Sequence, residues 1–247
     1  SAAGMPPPEL SIVIPAFNEE RVLRKRLEAV EDYVRAKQIM YEILIVDDGS
    51  TDRTREIARG YSEQNGRVRL LTNDQNRGKG FAVRQGMLAA GGKWILFMDA
   101  DLSTAPEEFD HIKDWFDQGY SIVIGTRRSK GSTIERHQSW VRESMGKIFT
   151  ALSRGVLRAS VSDFTCGFKG FSREAARTVF SRQRLHDWSF DAEILHIAKR
   201  RGIPIKEIPV HWANAGDSKV HIVKDTFRSF FGLLRIVVHS LSGKYDG

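Results

Sequence analysis

The chain has 247 residues, with 38 lysines and arginines against 31 aspartates and glutamates and a formal net charge of +7. That length suits one large α/β domain, and 41% hydrophobic with 28% charged residues excludes a disordered chain or a bundle of membrane spans. The positive surplus points to an anionic partner such as phosphate, nucleic acid or an acidic membrane.

Residues 1–8 lack a charged n-region and an apolar h-region, so they read as an appended tag or disordered terminus, not a signal peptide. Apolar runs rich in β-branched residues at 10–16, 42–47, 68–71, 94–98 and 121–124 predict buried strands. Helical patterns at 21–36, 51–64, 80–90 and 107–117 fill the gaps, the first two introduced by the cap-like Asn18 and Ser50. This alternation predicts an α/β fold, a mainly parallel sheet flanked by helices, with ligands gathered at the carboxyl ends of the strands. Further on come a polar loop over 126–138, a helix over 139–157 and a glycine-containing segment, 163–171. A helix over 189–201, a strand over 206–212, a loop through Gly216 and a last helix over 223–240 complete the reading. Residues 9–222 are therefore expected to form one α/β domain, and 223–247 a C-terminal amphipathic helix with its tail. No apolar run approaches the roughly 20 residues of a spanning helix. The single cysteine, Cys166, rules out an internal disulfide and fits a reducing compartment, so a cytoplasmic location is expected.

Four motifs fall at the ends of successive predicted strands. Asp99-Ala100-Asp101 follows the strand WILFM; two carboxylates so spaced can share a hard divalent cation with diphosphate oxygens, or can cap the next helix. Asp47-Asp48-Gly49-Ser50 offers carboxylates to a base N–H or a ribose hydroxyl, and equally offers turn chemistry. In the segment from Pro15 to Glu20, Asn18 and Glu19 serve as cap residues or nucleoside contacts. Asn76-Arg77-Gly78-Lys79-Gly80 is a basic glycine-rich turn into a helix, suited to a phosphate and distinct from the Walker pattern. Together they describe a site for a nucleotide diphosphate.

The order PAFNEE, VDDGSTD, NRGKG, DADLS resembles family 2 glycosyltransferases, which have the GT-A (Rossmann-like) fold and invert the anomeric centre. GTRRSKG, DFTCGFKGFSREAA, WSFDAEIL and EIPVHWANAGDSKV extend the likeness from Leu10 to about Lys224. They are closer to the dolichyl-phosphate glucosyltransferases of the polyprenyl-phosphate branch than to the mannosyltransferases. The resemblance implies that Pro15, Phe17, Glu19 and Asp48 contact uridine, that Lys79 faces the donor, and that Asp47 and Ala100 belong to the donor set. Asp99 and Asp101 would hold Mg²⁺ or Mn²⁺ on a UDP-sugar. Mannosyl relatives often carry Gln where this chain has Ser103, and an arginine near Asn214 and Ala215; here Lys219 is the nearby cation.

A lipid phosphate is already an anion, so as acceptor it needs positive charge and no general base. Arg127, Lys130, Arg142 and Lys219 are the candidates to hold it, with solvated surface charge as the alternative for each. Asp191 and Glu193 would orient the sugar or serve as base for a hydroxyl acceptor, or else are buried acids paired with a cation. Cys166 reads as a packed small residue and His211 as structural. The C-terminal helix could lie among anionic headgroups with Lys224, Arg228 and Arg235 facing lipid, or pack on the domain or a second subunit. The leading expectation is transfer of glucose from UDP-glucose to a polyprenyl (dolichyl or undecaprenyl) phosphate, by an enzyme peripheral to the cytoplasmic face of a membrane. A soluble hydroxyl acceptor, GDP-mannose as donor, or a non-catalytic nucleotide-sugar or membrane-surface binder are the alternatives. A nucleic-acid partner fits poorly, because the basic residues are dispersed and no recognised module is present.

Overall fold

Seven strands form one sheet in a computed structural model that describes residues 6–100, 103–129, 132–136, 140–157, 161–213 and 222–246. The first half alternates as expected: β1 (Leu10–Ala16), α1 (Leu23–Ala36), β2 (Tyr41–Asp47), α2 (Thr54–Gln64), β3 (Val68–Thr72), α3 (Lys79–Ala89) and β4 (Trp94–Met98). A 3-10 turn at Pro106–Glu108 leads into α4 (Phe109–Asp117), and β5 (Ile122–Thr126) follows. The second half contributes β6 (Thr133–Arg136), α5 (Trp140–Leu157), β7 (Phe168–Ser172), α6 (Arg173–Arg182) and α7 (Phe190–Arg200). It ends with β8 (Ile205–Pro209), β9 (His211–Ala213) and α8 (Ile222–Leu241).

The strand order is β3-β2-β1-β4-β7-β5-β8. All neighbours are parallel except β7, which runs antiparallel between β4 and β5. Side chains alternate across the sheet, so β1 sends Ile12 and Ile14 into one apolar layer and Val13 into the other. The layer around Ile12 takes α1, whose Leu23, Leu27, Val30 and Val34 recur at helical spacing, and also the buried faces of α2 and α4. The opposite layer takes α3, α6 and α7, and it also buries Leu233 and Ile236 of α8 and Tyr245 of the tail.

Several expectations need correction. Asn18 and Ser50 cap no helix: α1 begins at Leu23 and α2 at Thr54, each without a side-chain cap, because both residues are engaged in joining two loops. Within the expected loop 126–138 the chain forms β6, and the segment 163–171 runs into β7, where glycine and lysine interrupt the apolar pattern of a strand. Helix α6 is an element beyond those expected; Ser172 caps it by accepting from the Ala175 N–H at 3.2 Å. The single strand expected over 206–212 breaks at Val210, between β8 and β9, and β9 leaves the main sheet to pair with β6. The loop expected through Gly216 lies outside the described residues. Among those described, no helix is long and apolar enough to cross a membrane.

Candidate functional site

The chain leaves β1, β2, β4 and β5 on one edge of the sheet, and the loops that emerge there are joined to one another by side chains. Asn18, in the left-handed region at φ 56°, receives the Thr51 N–H at 2.8 Å while its own N–H donates to Ser50 Oγ at 3.0 Å. The Glu19 N–H donates to Thr54 Oγ1 at 2.7 Å and the Glu20 N–H to Asp52 Oδ2 at 3.2 Å, while the Glu20 carboxylate accepts from the Arg53 N–H at 3.1 Å. Pro15, Phe17 and Glu19 therefore sit half-buried on a braced frame. Glu19 also pairs with Arg26 at 3.2 Å.

The two aspartates at the end of β2 do different work. Asp47 is fully buried, ion-paired with Arg55 at 2.7 Å, and accepts from the Ser50 N–H at 3.2 Å. Asp48 accepts from Asn73 Nδ2 at 2.8 Å and from the N–H groups of Arg77 and Gly78 at 3.0 and 2.8 Å. It thereby draws the glycine-rich turn against the end of β2. Gly78, at φ 100°, lies so close to the His186 carbonyl that a Cβ would collide with it. The turn delivers Lys79 as the first residue of α3, and its Nζ lies 2.7 Å from Asp99 Oδ1. Trp188 covers the same ammonium, with its ring centroid 4.6 Å away.

Asp99 follows β4 directly. Its N–H donates to the Gly167 carbonyl at 3.0 Å, and a Cβ on Gly167 would occupy the space taken by the Asp99 carboxylate. Ala100 is buried in the apolar layer beside Met98. Farther along this loop, the Ala213 N–H donates to the Ser103 carbonyl at 2.8 Å and Thr104 bridges to Trp212, so β9 supports it from outside. Met98, Asp99, Ser103, Thr104, Gly167 and Trp212 line a cleft there.

Beyond β5, Arg127 is held by the buried Asp163. Its Nε and Nη2 meet the two carboxylate oxygens at 2.7 and 2.9 Å, Nη2 also reaches Thr165 Oγ1 at 2.9 Å, and the guanidinium lies 5.4 Å from the Trp212 ring centroid. Burial alone would raise the Asp163 pKa, but the guanidinium outweighs it and holds the carboxyl well below the usual carboxylate range. Burial likewise opposes the charge on Arg127, whereas Asp163, and more weakly Asp99, hold it firmly protonated.

Asp191 and Glu193, in the first turn of α7, are buried. Asp191 Oδ1 lies 2.6 Å from Nζ of Lys169, a lysine inside β7. Glu193 accepts from the Leu185 N–H at 2.8 Å and from the Tyr245 hydroxyl at 2.7 Å. Burial pushes the Cys166 thiol up to about 12, which leaves it protonated and unsuited to be a nucleophile. His211 is tied through Nδ1 to Glu108 at 2.6 Å. Asp101, Lys130 and Lys219 lie outside the described residues, and for Arg142 only its backbone place in α5 is described. Lys169, Asp163, Thr165 and Gly167 join the site with no role expected of them from the sequence. The available signal was a lysine inside an apolar strand-like run, a residue that requires a buried acid nearby.

The donor set suits a hard divalent cation. Among the described residues no group of three or more His, Cys, Asp or Glu could hold a metal alone. One or two carboxylates beside bound phosphate are the usual protein share for Mg²⁺, and Asp99 sits at the sheet edge with a glycine leaving room for its carboxylate.

A family model described as glycosyl transferase family 2 matches residues 11–180. A dolichyl-phosphate β-glucosyltransferase of Drosophila melanogaster is 36% identical over 227 residues, 86% of this chain and 69% of the relative. The Homo sapiens protein of the same description is 34% identical over 229 residues, 87% of this chain and 70% of that one. Among solved structures, glucosyl-3-phosphoglycerate synthase from Mycobacterium tuberculosis, in complex with Mn²⁺, UDP and glucosyl-3-phosphoglycerate, superposes with a TM-score of 0.70 at 18% identity. That match covers 93% of this chain and 80% of the other.

Proposed function

Because the chain belongs to glycosyltransferase family 2, we propose that it transfers glucose from UDP-glucose to a polyprenyl phosphate, dolichyl or undecaprenyl, with inversion at the anomeric carbon. The observation that carries this reading is the contact of Lys79 with Asp99 at the carboxyl edge of the sheet, beneath Trp188. It puts a cation and a metal-type carboxylate together where a sugar diphosphate would lie.

Uridine would rest on the frame of Pro15, Phe17 and Glu19, with Asp48 and its anchored turn at the base edge and Asp47 fixed behind. Lys79 would neutralise the diphosphate as it leaves. Asp99 and Asp101 would hold Mg²⁺ or Mn²⁺, which when bound supplies Lewis-acid stabilisation of the departing UDP. Arg127, fixed in direction by Asp163, would present its remaining guanidinium edge to the acceptor phosphate, assisted by Lys130, Arg142 and Lys219. The acceptor oxygen is anionic before it attacks, so none of these residues has to remove a proton. The names of the Drosophila and human relatives support the sugar and the lipid.

A lipid acceptor implies work at a bilayer surface. Ile148, Leu152 and Val156 of α5 and Phe231, Leu234, Val238 and Leu241 of α8 are exposed on two helices that pack together. We place these apolar rows against the cytoplasmic face of the membrane, with Lys147, Arg154 and Arg235 near its anionic headgroups.

The test is incubation with UDP- and GDP-sugars, Mg²⁺ or Mn²⁺ and a short polyprenyl phosphate, following nucleotide release and sugar in the organic extract. Glucolipid formed from UDP-glucose alone, and lost in Asp101→Ala, is the expected result. UDP release without sugar in the lipid would move a soluble hydroxyl acceptor into first place, and GDP-mannose consumption would reassign the donor.

A further inference from the structure

Lys169 has no role in the scheme above, yet it is a fully buried lysine. It is 0% exposed in the middle of β7, opposite Phe97 of β4, whose ring centroid is 5.6 Å from Nζ. An ammonium there is costly to desolvate, and a buried ion pair is often no more stabilising than apolar side chains of the same volume. Stability alone therefore gives little reason for a lysine at this position. What the ammonium does is connect: it donates to Asp191 Oδ1 at 2.6 Å and to the Cys166 carbonyl at 2.5 Å. Cys166 precedes Gly167, whose carbonyl receives the Asp99 N–H and whose Cα faces the Asp99 carboxylate at a distance that excludes a methyl group.

We propose that Asp191 and Lys169 are positioning residues for the donor metal site. Asp191 fixes the ammonium, the ammonium fixes the 166–167 backbone, and that backbone sets the Asp99 carboxylate in place. The same helix start that carries Asp191 also follows Trp188, the cover of Lys79, so both supports of Asp99 are tied to the first turn of α7. Asp191 is 2% exposed with an ammonium on Oδ1, an arrangement for holding a cation rather than for taking a proton from an acceptor. The inference rests on the metal role given to Asp99 above.

The experiment measures Mn²⁺ binding in the presence of UDP, by loss of the free Mn²⁺ electron paramagnetic resonance signal, beside UDP binding without metal, by tryptophan fluorescence. Lys169→Met and Asp191→Asn should each weaken Mn²⁺ binding about 10- to 100-fold, the range for residues that orient a metal ligand, with metal-free UDP binding unchanged. A general loss of structure would weaken both. The double variant Lys169→Met/Asp191→Asn orphans neither charge, so it carries the test if a single variant fails to fold. It should bind Mn²⁺ no worse than Lys169→Met, because the two residues act as one unit. Wild-type Mn²⁺ affinity in the folded double variant would overturn the inference and leave the metal role of Asp99 standing. Failure of the wild-type protein itself to bind Mn²⁺ with UDP would overturn both.

Discussion

Gly167 shows how little room one residue leaves around Asp99. A methyl group there meets both carboxylate oxygens, so Gly167→Ala must displace Asp99, Lys79 or the 166–167 backbone. Transfer should fall about 10- to 100-fold, with Mn²⁺ affinity falling in parallel and the thermal midpoint little changed. Asp163 presents the opposite case, in which stability is at stake. Asp163→Asn leaves the Arg127 guanidinium without its buried counter-charge, and urea unfolding should show a loss of about 3–5 kcal/mol. The Asp163 carboxyl has its folded pKa depressed, so its contribution is fully present above the ordinary value of 3.8 and is lost as pH falls below that value. The acid limb of the stability curve should be shallower in Asp163→Asn than in the wild-type protein.

Among the elements, legibility followed solvent exposure. Strands β1, β2, β4 and β5 are runs of apolar residues closed by turn chemistry, because strands buried on both faces need no polar alternation, whereas the edge strand β3, also expected to be buried, exposes Arg69 and Thr72. The same runs placed Pro15, Asp48, Lys79, Asp99 and Arg127 along one edge. β7 escaped notice because its polar residue faces inward and is satisfied by an aspartate from a distant helix, a pairing that local pattern cannot express. Asn18 and Ser50 misled for a related reason: a residue able to cap a helix is equally able to accept from a neighbouring loop, and tertiary proximity decides between them. The junction of α7 with α8 offers a measurement at this scale. Burial, with Arg200 and Lys199 assisting, depresses the His196 imidazole from its ordinary value of 6.5 to about 4. Between those values the unfolded chain binds a proton that the folded chain does not, so this group's stabilisation is present above 6.5 and lost as pH falls towards 4. In His196→Gln, whose longer amide matches the reach of Nε2 towards Ser240, the thermal midpoint should decline less across that window.

At the scale of the whole molecule, α8 joins two surfaces. Its Leu233 and Ile236 are buried, Arg235 reaches Asp187 at 3.3 Å, and Gly232 admits Ser189 so closely that a Cβ would collide. The loop it grips carries Trp188, while Phe231 and Val238, each 60% exposed, remain outside. Leu152→Asp with Val238→Asp puts two carboxylates on the proposed lipid face. Co-sedimentation with vesicles containing anionic lipid should drop at least about tenfold, while UDP release with a water-soluble short-chain acceptor stays near the wild-type rate. The insertion of β7 between β4 and β5 carries a consequence in time. Met98 must wait for Phe168 before its strand is paired on both sides, so a chain emerging from the ribosome can assemble β1 to β4 long before the backbone that seats Asp99 exists. On the proposed assignment, the uridine half of the donor site would be built from contacts among the first 80 residues and its phosphate half from contacts made after residue 160, which would make donor competence one of the last properties the folding chain acquires.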